Sequence, residues 1–285
     1  MNRSFTPPTD DTKGLRFLYN TVSGRVVLKL LCAPWLSKLC GAFLSSRMSK
    51  FLILPFLKSN NIDTADYFCD NFKCFNDCFT RKIRPGRREF DMNPLALVAP
   101  CDAYLSAYKI TDKATFNIKN SVYNLERLLK DSSAAEQFSN GVCLVFRLCV
   151  HHYHRYSFFD GGEILSNRFI KGILHTVRPI ALEKTPVFCE NSREVTYIKT
   201  DNFGTAAQIE VGAMLVGKIK NFVTSGRVER GGEKGMFLYG GSTVVLIFEK
   251  GKVSVDDAIF SATQNGLELS VRMGEKIGSA QKSLK

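Results

Sequence analysis

Over the first sixty residues the apolar positions come in blocks, and beyond them in short runs of β-favouring residues separated by turn formers. From Leu15 to Leu57 the blocks are cut by Arg25, Lys29, Lys38, Arg47 and Lys50, which predicts short helices with an apolar face and scattered cations. No uncharged apolar run there approaches the roughly 20 residues of a spanning helix. Phe72, Phe75 and Phe79, three and four apart, share one helical face. Residues 95–100 predict a short buried strand closing on Pro100, with Asp102 just past it. Residues 121–130 predict a short amphipathic helix capped by Ser121. Asn140-Gly141 turns the chain into a buried strand, 142–150, interrupted by Arg147. His175 alternates with apolar residues in another strand, 194–200 makes a further one, and Gly212 and Gly217, five apart, suit a tightly curved strand.

Residues 236–249 stand apart. Two apolar runs flank Gly240-Gly241-Ser242-Thr243, a tetrad of small residues expected in mid-strand. Two readings stay open. Glycine inside a strand marks a bulge or a close approach of other backbone. Alternatively, a serine hydroxyl can reach the carbonyl carbon of the preceding residue through a five-membered ring if the backbone is distorted, which two glycines permit cheaply. Attack by Ser242 on the Gly241 carbonyl would give an ester. Loss of the Ser242 α-proton would expel it, and hydrolysis of the resulting dehydroalanine would leave ammonia and a pyruvoyl group. The chain would part into residues 1–241 and a 44-residue piece, 242–285. A ketone there forms a Schiff base with a substrate amine and accepts the electron pair released when a carboxylate leaves as carbon dioxide.

Charge adds a partner class. The net charge of +12 predicts attraction to polyanions, and residues 1–60 hold nine Lys or Arg against two Asp, or +7 of that total. Such helices either lie in the interface of an anionic bilayer or present a solvated basic face. Without finger spacing, an RNP-like run or a helix-turn-helix pattern, nucleic acid is not the expected partner. Nine cysteines, an odd number without paired zinc spacing, predict free thiols in a reducing compartment. Pro7, Pro8, Asp10 and Asp11 occupy the place where a secretory signal would carry its apolar core.

His151, His152 and His154 are three of the four histidines. His152 and His154, if they alternate on a strand, could ligate zinc with a carboxylate. One imidazole could instead act as general base beside a carboxylate and a hydroxyl. Asp102 is a turn former or that carboxylate.

Several of these stretches together resemble the pyruvoyl-dependent phosphatidylserine decarboxylases. Residues 231–235 followed by 237–251 are similar to the family's processing segment, whose tetrad reads LGST or GGST. Residues 71–82 are similar to its FxxFNDFFTRKL run, with Cys78 where Phe is common. Ala99-Pro100-Cys101-Asp102-Ala103 resembles SPADG, with Ala103 in place of Gly. Tyr153-His154-Arg155 matches DYHRxH, with His152 where Asp is usual and Ser157 where the second His stands. Residues 186–193 and 209–219 resemble its ENxR and VGAxxVGxI segments. The likeness runs in order from about residue 70 to 275.

The resemblance, to the GGST-containing bacterial type, implies catalytic roles for Asp102, His154 and Ser242. It implies cleavage between Gly241 and Ser242 and a pyruvoyl cofactor made from Ser242. It further implies a heterodimer of β chain 1–241 and α chain 242–285, with room for a dimer of these. The reaction implied is decarboxylation of phosphatidylserine to phosphatidylethanolamine, by a protein peripheral on the cytoplasmic face of the cell membrane. The expected fold is α+β: a helical, basic, membrane-docking region, 1–70, on a decarboxylase domain, 71–285, with a mostly antiparallel β core of barrel/sandwich-hybrid type. The rivals are a zinc-dependent hydrolase using His151, His152 and His154, and a non-enzymatic basic membrane-binding protein.

Overall fold

The computed structural model describes residues 4–8, 11–69, 71–118, 121–214, 218–238, 240 and 242–281. Three helices open the chain: α1 (Lys13–Asn20), α2 (Val22–Leu31) and α3 (Pro34–Leu44). Thr21 closes the first through its N–H to Phe17 O and caps the second by accepting from Gly24 N–H at 2.9 Å, so one residue makes the whole corner. A 3₁₀ helix, Arg47–Leu52, and a short helix, Ile53–Ser59, follow. Among the described residues no single helix is long and apolar enough to cross a membrane; α2 and residues 35–44 reach that length and composition only as a pair bent by 61°.

The core is a nine-stranded antiparallel sheet with Ser242–Phe248 at its centre, between Val142–Leu148 and Thr205–Gly212. That strand is buried along its whole length because both sheet faces are covered. On one face Val145, Ile209, Val211, Val245 and Ile247 pack beneath short helices and against Tyr19 and Leu28 of α1 and α2. On the other, Phe146, Val244, Leu246 and Phe248 meet Tyr156, Phe237 and Ile277. Those partners come from two three-stranded sheets, Ile219–Asn221/Glu233–Phe237/Arg155–Ser157 and Val253–Val255/Lys276–Ala280/Ala96–Val98. The protein is thus mixed α and β with mostly antiparallel sheets in layers. The expected barrel is absent: the large sheet ends at Phe5–Thr6 and Gly226–Val228, and no closed barrel forms among the described residues.

Local expectations shift in two places. Residues 121–124 form a strand paired with Thr115–Ile118, and the helix begins at Leu125 with Asn124 as its cap, accepting from Arg127 N–H at 3.0 Å. Val122 and Tyr123 favour a strand, and the asparagine offers the better-placed side-chain oxygen. His175 lies in a loop, not a strand. Gly217 lies outside the described residues, but Gly212 is fixed: its carbonyl accepts from Asn191 Nδ2 at 2.7 Å, and it stands directly opposite Ser242.

Candidate active site

The Gly-Gly-Ser-Thr tetrad does not sit in mid-strand. Glu233–Phe237 belongs to a three-stranded sheet and Ser242–Phe248 to the large one, so the chain changes sheets between Phe237 and Ser242. Leu238 N–H is held by Lys218 O at 3.1 Å. Gly240 has φ +140°, a conformation open to glycine at no steric cost. Gly241, the expected cleavage partner, lies outside the described residues. Ser242 begins the central strand, between Gly212 and Leu148. Its side chain is buried, and among the described residues Oγ has no hydrogen-bond partner. An unpaired buried hydroxyl costs about 1–3 kcal/mol, so it is an expensive thing to keep for packing alone. A small crossing that ends on an orphaned serine hydroxyl fits the making of a pyruvoyl group from Ser242.

His154 is fully buried against the Phe79 ring, centroids 4.1 Å apart. Its Nδ1 donates to the His152 carbonyl at 3.0 Å, which leaves the lone pair on Nε2, and Nε2 is buried without a partner. Burial pushes its pKa down to about 3, so the ring is neutral. Asp102 is held elsewhere. Arg88 Nε lies 2.9 and 3.2 Å from its two oxygens, Arg88 Nη2 is 2.7 Å from Oδ2, and Met273 N–H donates to Oδ1 at 2.9 Å. Arg88 Nη1 also reaches Asp66 at 3.1 Å. Among the described residues no hydrogen bond joins Asp102 to His154 or His154 to Ser242.

Arg84, Arg87 and Arg88 around Pro85-Gly86 have the local pattern of an exposed basic turn, but the Arg88 side chain is only 6% exposed and is the counter-ion of a buried carboxylate. Ser157, at the second-histidine position, donates from Oγ to Pro100 O at 3.1 Å and so fixes the segment that delivers Asp102. A cleft of about 260 Å³ exposes Asp102, Arg88, His151 and His152 together. A second, apolar cleft of about 650 Å³ lies between α3 and Phe169, Leu174 and Leu238, next to the crossing.

The histidine cluster does not form the alternating pair a zinc site needs. His151 to His154 make a turn ahead of the strand Arg155–Ser157, and His152 Nδ1 accepts from Cys149 N–H at 2.9 Å. No three His, Cys, Asp or Glu side chains are grouped to hold a metal among the described residues. His175 is structural: Nδ1 faces Tyr19 OH at 3.1 Å and Cys32 Sγ at 3.5 Å, tying α1 and α2 to the core.

Sequence reasoning missed Glu210 and Lys234, which pair at 2.5 Å with both side chains fully buried. Lys234 lies in the charged, Gly-rich run 227–235, whose local pattern is that of a turn. Glu210 did leave a signal, a carboxylate between Ile209 and Val211 in a buried strand.

The buried imidazoles make stability depend on pH. His152 and His154 are both held below the ordinary 6.5, chiefly by desolvation. Below pH 6.5 the unfolded chain takes up protons that the folded chain refuses. The stability they contribute is therefore complete above about pH 6.5 and falls as pH drops below it, for His154 as far as about pH 3, by up to about 1.4 kcal/mol per pH unit per histidine. Urea midpoints measured across that range should show the slope, and His154→Gln should reduce it by one proton's worth.

Comparison with known proteins identifies the class first. Residues 75–279 match the profile of the family described as phosphatidylserine decarboxylase, whose members are carboxy-lyases. The chain is 44% identical over 265 residues to the "phosphatidylserine decarboxylase proenzyme 2" of Clostridium acetobutylicum, covering 93% of this chain and 91% of that one. It is 42% identical over 271 residues to the "phosphatidylserine decarboxylase proenzyme" of Ruminiclostridium cellulolyticum, covering 93% and 90%. The chain belongs to the phosphatidylserine decarboxylase family.

Proposed function

We propose that this protein is made as a proenzyme, cuts itself between Gly241 and Ser242, and then converts phosphatidylserine to phosphatidylethanolamine and carbon dioxide. The observation that carries the proposal is the Ser242 hydroxyl, buried and unpartnered at the first residue after the glycine crossing. In the cut, Oγ loses its proton and bonds to the Gly241 carbonyl carbon while the carbon–nitrogen bond breaks and the nitrogen gains a proton. The Ser242 α-proton then leaves, the Ser242 Cβ–Oγ bond breaks, and Gly241 departs as a carboxylate that carries Oγ, which leaves dehydroalanine. Water displaces the nitrogen as ammonia and leaves the pyruvoyl group, whose ketone supplies the electron sink for decarboxylation.

Two protons must be accepted along this path. His154, neutral and with a free Nε2 lone pair, is suited to one of them. Asp102, clamped by Arg88, sets the field around the same buried region. The products are a β chain, 1–241, and an α chain, 242–285, held together because residues 242–248 form the centre of the large sheet. The heterodimer leaves room for pairing with a second copy.

The substrate is a lipid, and the N-terminal region supports docking to one. Val22, Val26 and Leu30 on α2, and Trp35, Leu39 and Phe43 on α3, recur every four residues and are exposed. Arg25, Lys29 and Lys38 are exposed among them. That combination suits the interface plane of an anionic leaflet, peripheral on the cytoplasmic face of the cell membrane. Residues 1–70 then dock while 71–285 catalyse, with the apolar cleft beside α3 as a route for lipid toward residue 242. With vesicles containing phosphatidylserine, cleaved protein should float with the lipid and release carbon dioxide. Each fully buried large apolar side chain contributes about 1.5–3 kcal/mol, so a triple Trp35→Ser, Leu39→Ser, Phe43→Ser variant should lose at least about tenfold in both. Fully cleaved wild-type protein that releases none would refute the assigned reaction; a triple variant that floats and reacts normally would refute the docking face.

A further inference from the structure

The sheet face that bears Ser242 also bears polar groups that a hydrophobic core does not need. Gly212 lies opposite Ser242, and Glu210 opposite Val244. Residues directly opposite on antiparallel strands point the same way, and diagonal neighbours lie about 7–8 Å apart, within reach of a long side chain. Glu210 therefore projects from Ser242's own face, one step along, and Gly212 places no side chain between them. Glu210 is fully buried. Its Oε2 accepts from Lys234 Nζ at 2.5 Å and from Asn221 Nδ2 at 3.1 Å, while Asn221 Oδ1 accepts from Tyr156 OH at 2.9 Å. Its Oε1 is buried with no partner, as is Ser242 Oγ.

Stability does not explain this arrangement. Desolvation costs several kcal/mol per buried ion, and apolar replacements of such pairs are often neutral or stabilising. The remaining candidates for the hydroxyl proton are poorly placed. Asp102 is occupied by Arg88 and the Met273 N–H, and Ser157 spends its hydroxyl on Pro100 O. His154 is one base for a path that needs two proton acceptances.

We infer that Glu210 Oε1 accepts the Ser242 hydroxyl proton during self-cleavage, with Lys234 and Asn221 holding the carboxylate in place. The inference rests on the self-cleavage proposed above. The proton passes from Oγ to Oε1 as the Oγ–carbon bond forms, and from Oε1 to the nitrogen of residue 242 as the carbon–nitrogen bond breaks, so Glu210 ends as it began. The α-proton of the second step is left to His154. Desolvation raises the Glu210 carboxyl above its ordinary 4.5 against the opposing pull of Lys234, which makes it a better acceptor near neutrality.

The test follows cleavage itself, in precursor made by cell-free synthesis and chased on denaturing gels. Glu210→Gln should slow the cut by about a hundredfold or more. Because that change strands the Lys234 cation, the double variant Glu210→Gln, Lys234→Met is the decisive one. If the pair were only a clamp, removing both charges would return a folded and normally cleaving chain. On the present inference the double variant regains its melting temperature but not its cleavage rate. A folded double variant cutting at the wild-type rate overturns the assignment. So does a wild-type rate that fails to rise as pH climbs through the raised titration range of Glu210, above its ordinary 4.5, and this outcome needs no variant to fold. The underlying reading has its own control: a wild-type chain that never cuts, or a Ser242→Ala chain that does, removes self-cleavage and the role of Glu210 together.

Discussion

Ser242→Ala should yield one 31.9 kDa chain where the wild type yields fragments 1–241 and 242–285. The hydroxyl oxygen is the atom that attacks, and alanine has nothing to put in its place. The same variant should be no less stable than the uncut wild type. Ser242 Oγ makes no hydrogen bond in its buried site, so its removal breaks none and relieves an unsatisfied group worth about 1–3 kcal/mol. Complete loss of cleavage with an equal or raised melting temperature is therefore the expected pair of results. Loss of cleavage together with a large loss of stability would mean that the serine was serving the fold. In the wild type, the short fragment should be lighter than one beginning with serine by the mass of one ammonia. A fragment beginning with free serine would show plain hydrolysis and exclude a pyruvoyl terminus.

The strands that the sequence announced were those whose apolar runs are continuous. Residues 244–248 and 143–146 are buried on both faces, and no amphipathic helix would bury such an unbroken run. The N-terminal helices were legible from the spacing of their cations. Placement across layers was not. The tetrad's passage from one sheet to another depends on which strands pair, and pairing is set by contacts distant in sequence. Arg88 shows the same limit: beside Pro85-Gly86 it has the local pattern of a surface turn, and only the fold brings Asp102 and Asp66 to it. Glu210 was half legible, because a carboxylate in a buried strand demands a partner, yet Lys234, 24 residues on, gave no sign of being that partner. The site residues drawn from the resemblance were individually findable, but the bonds they make, Asp102 to Arg88 and His154 to its neighbour's carbonyl, were not.

Arg88→Met should destabilise the protein by about 3–5 kcal/mol, the usual cost of stranding one member of a buried ion pair. Asp102 is almost wholly enclosed, with a side chain 8% exposed, and among the described residues would keep only the Met273 N–H to offset its charge. At about 2–4 °C per kcal/mol for a chain of this size, the melting temperature should drop by roughly 10 °C. Adding Asp102→Asn to Arg88→Met should recover much of that loss, since the amide needs no counter-ion and its oxygen can still accept from Met273 N–H. The four chains form a cycle whose coupling energy is the interaction itself. A coupling near zero would mean that Asp102 is paired with something other than Arg88. If Asp102 serves Ser242 chemistry through its carboxylate, Arg88→Met, which keeps that carboxylate, should still cut at low temperature, where it is still folded. The double variant, though more stable, should then cut more slowly, because it has lost the carboxylate's charge. That opposition between stability and rate separates a carboxylate kept for reaction from one kept for the fold.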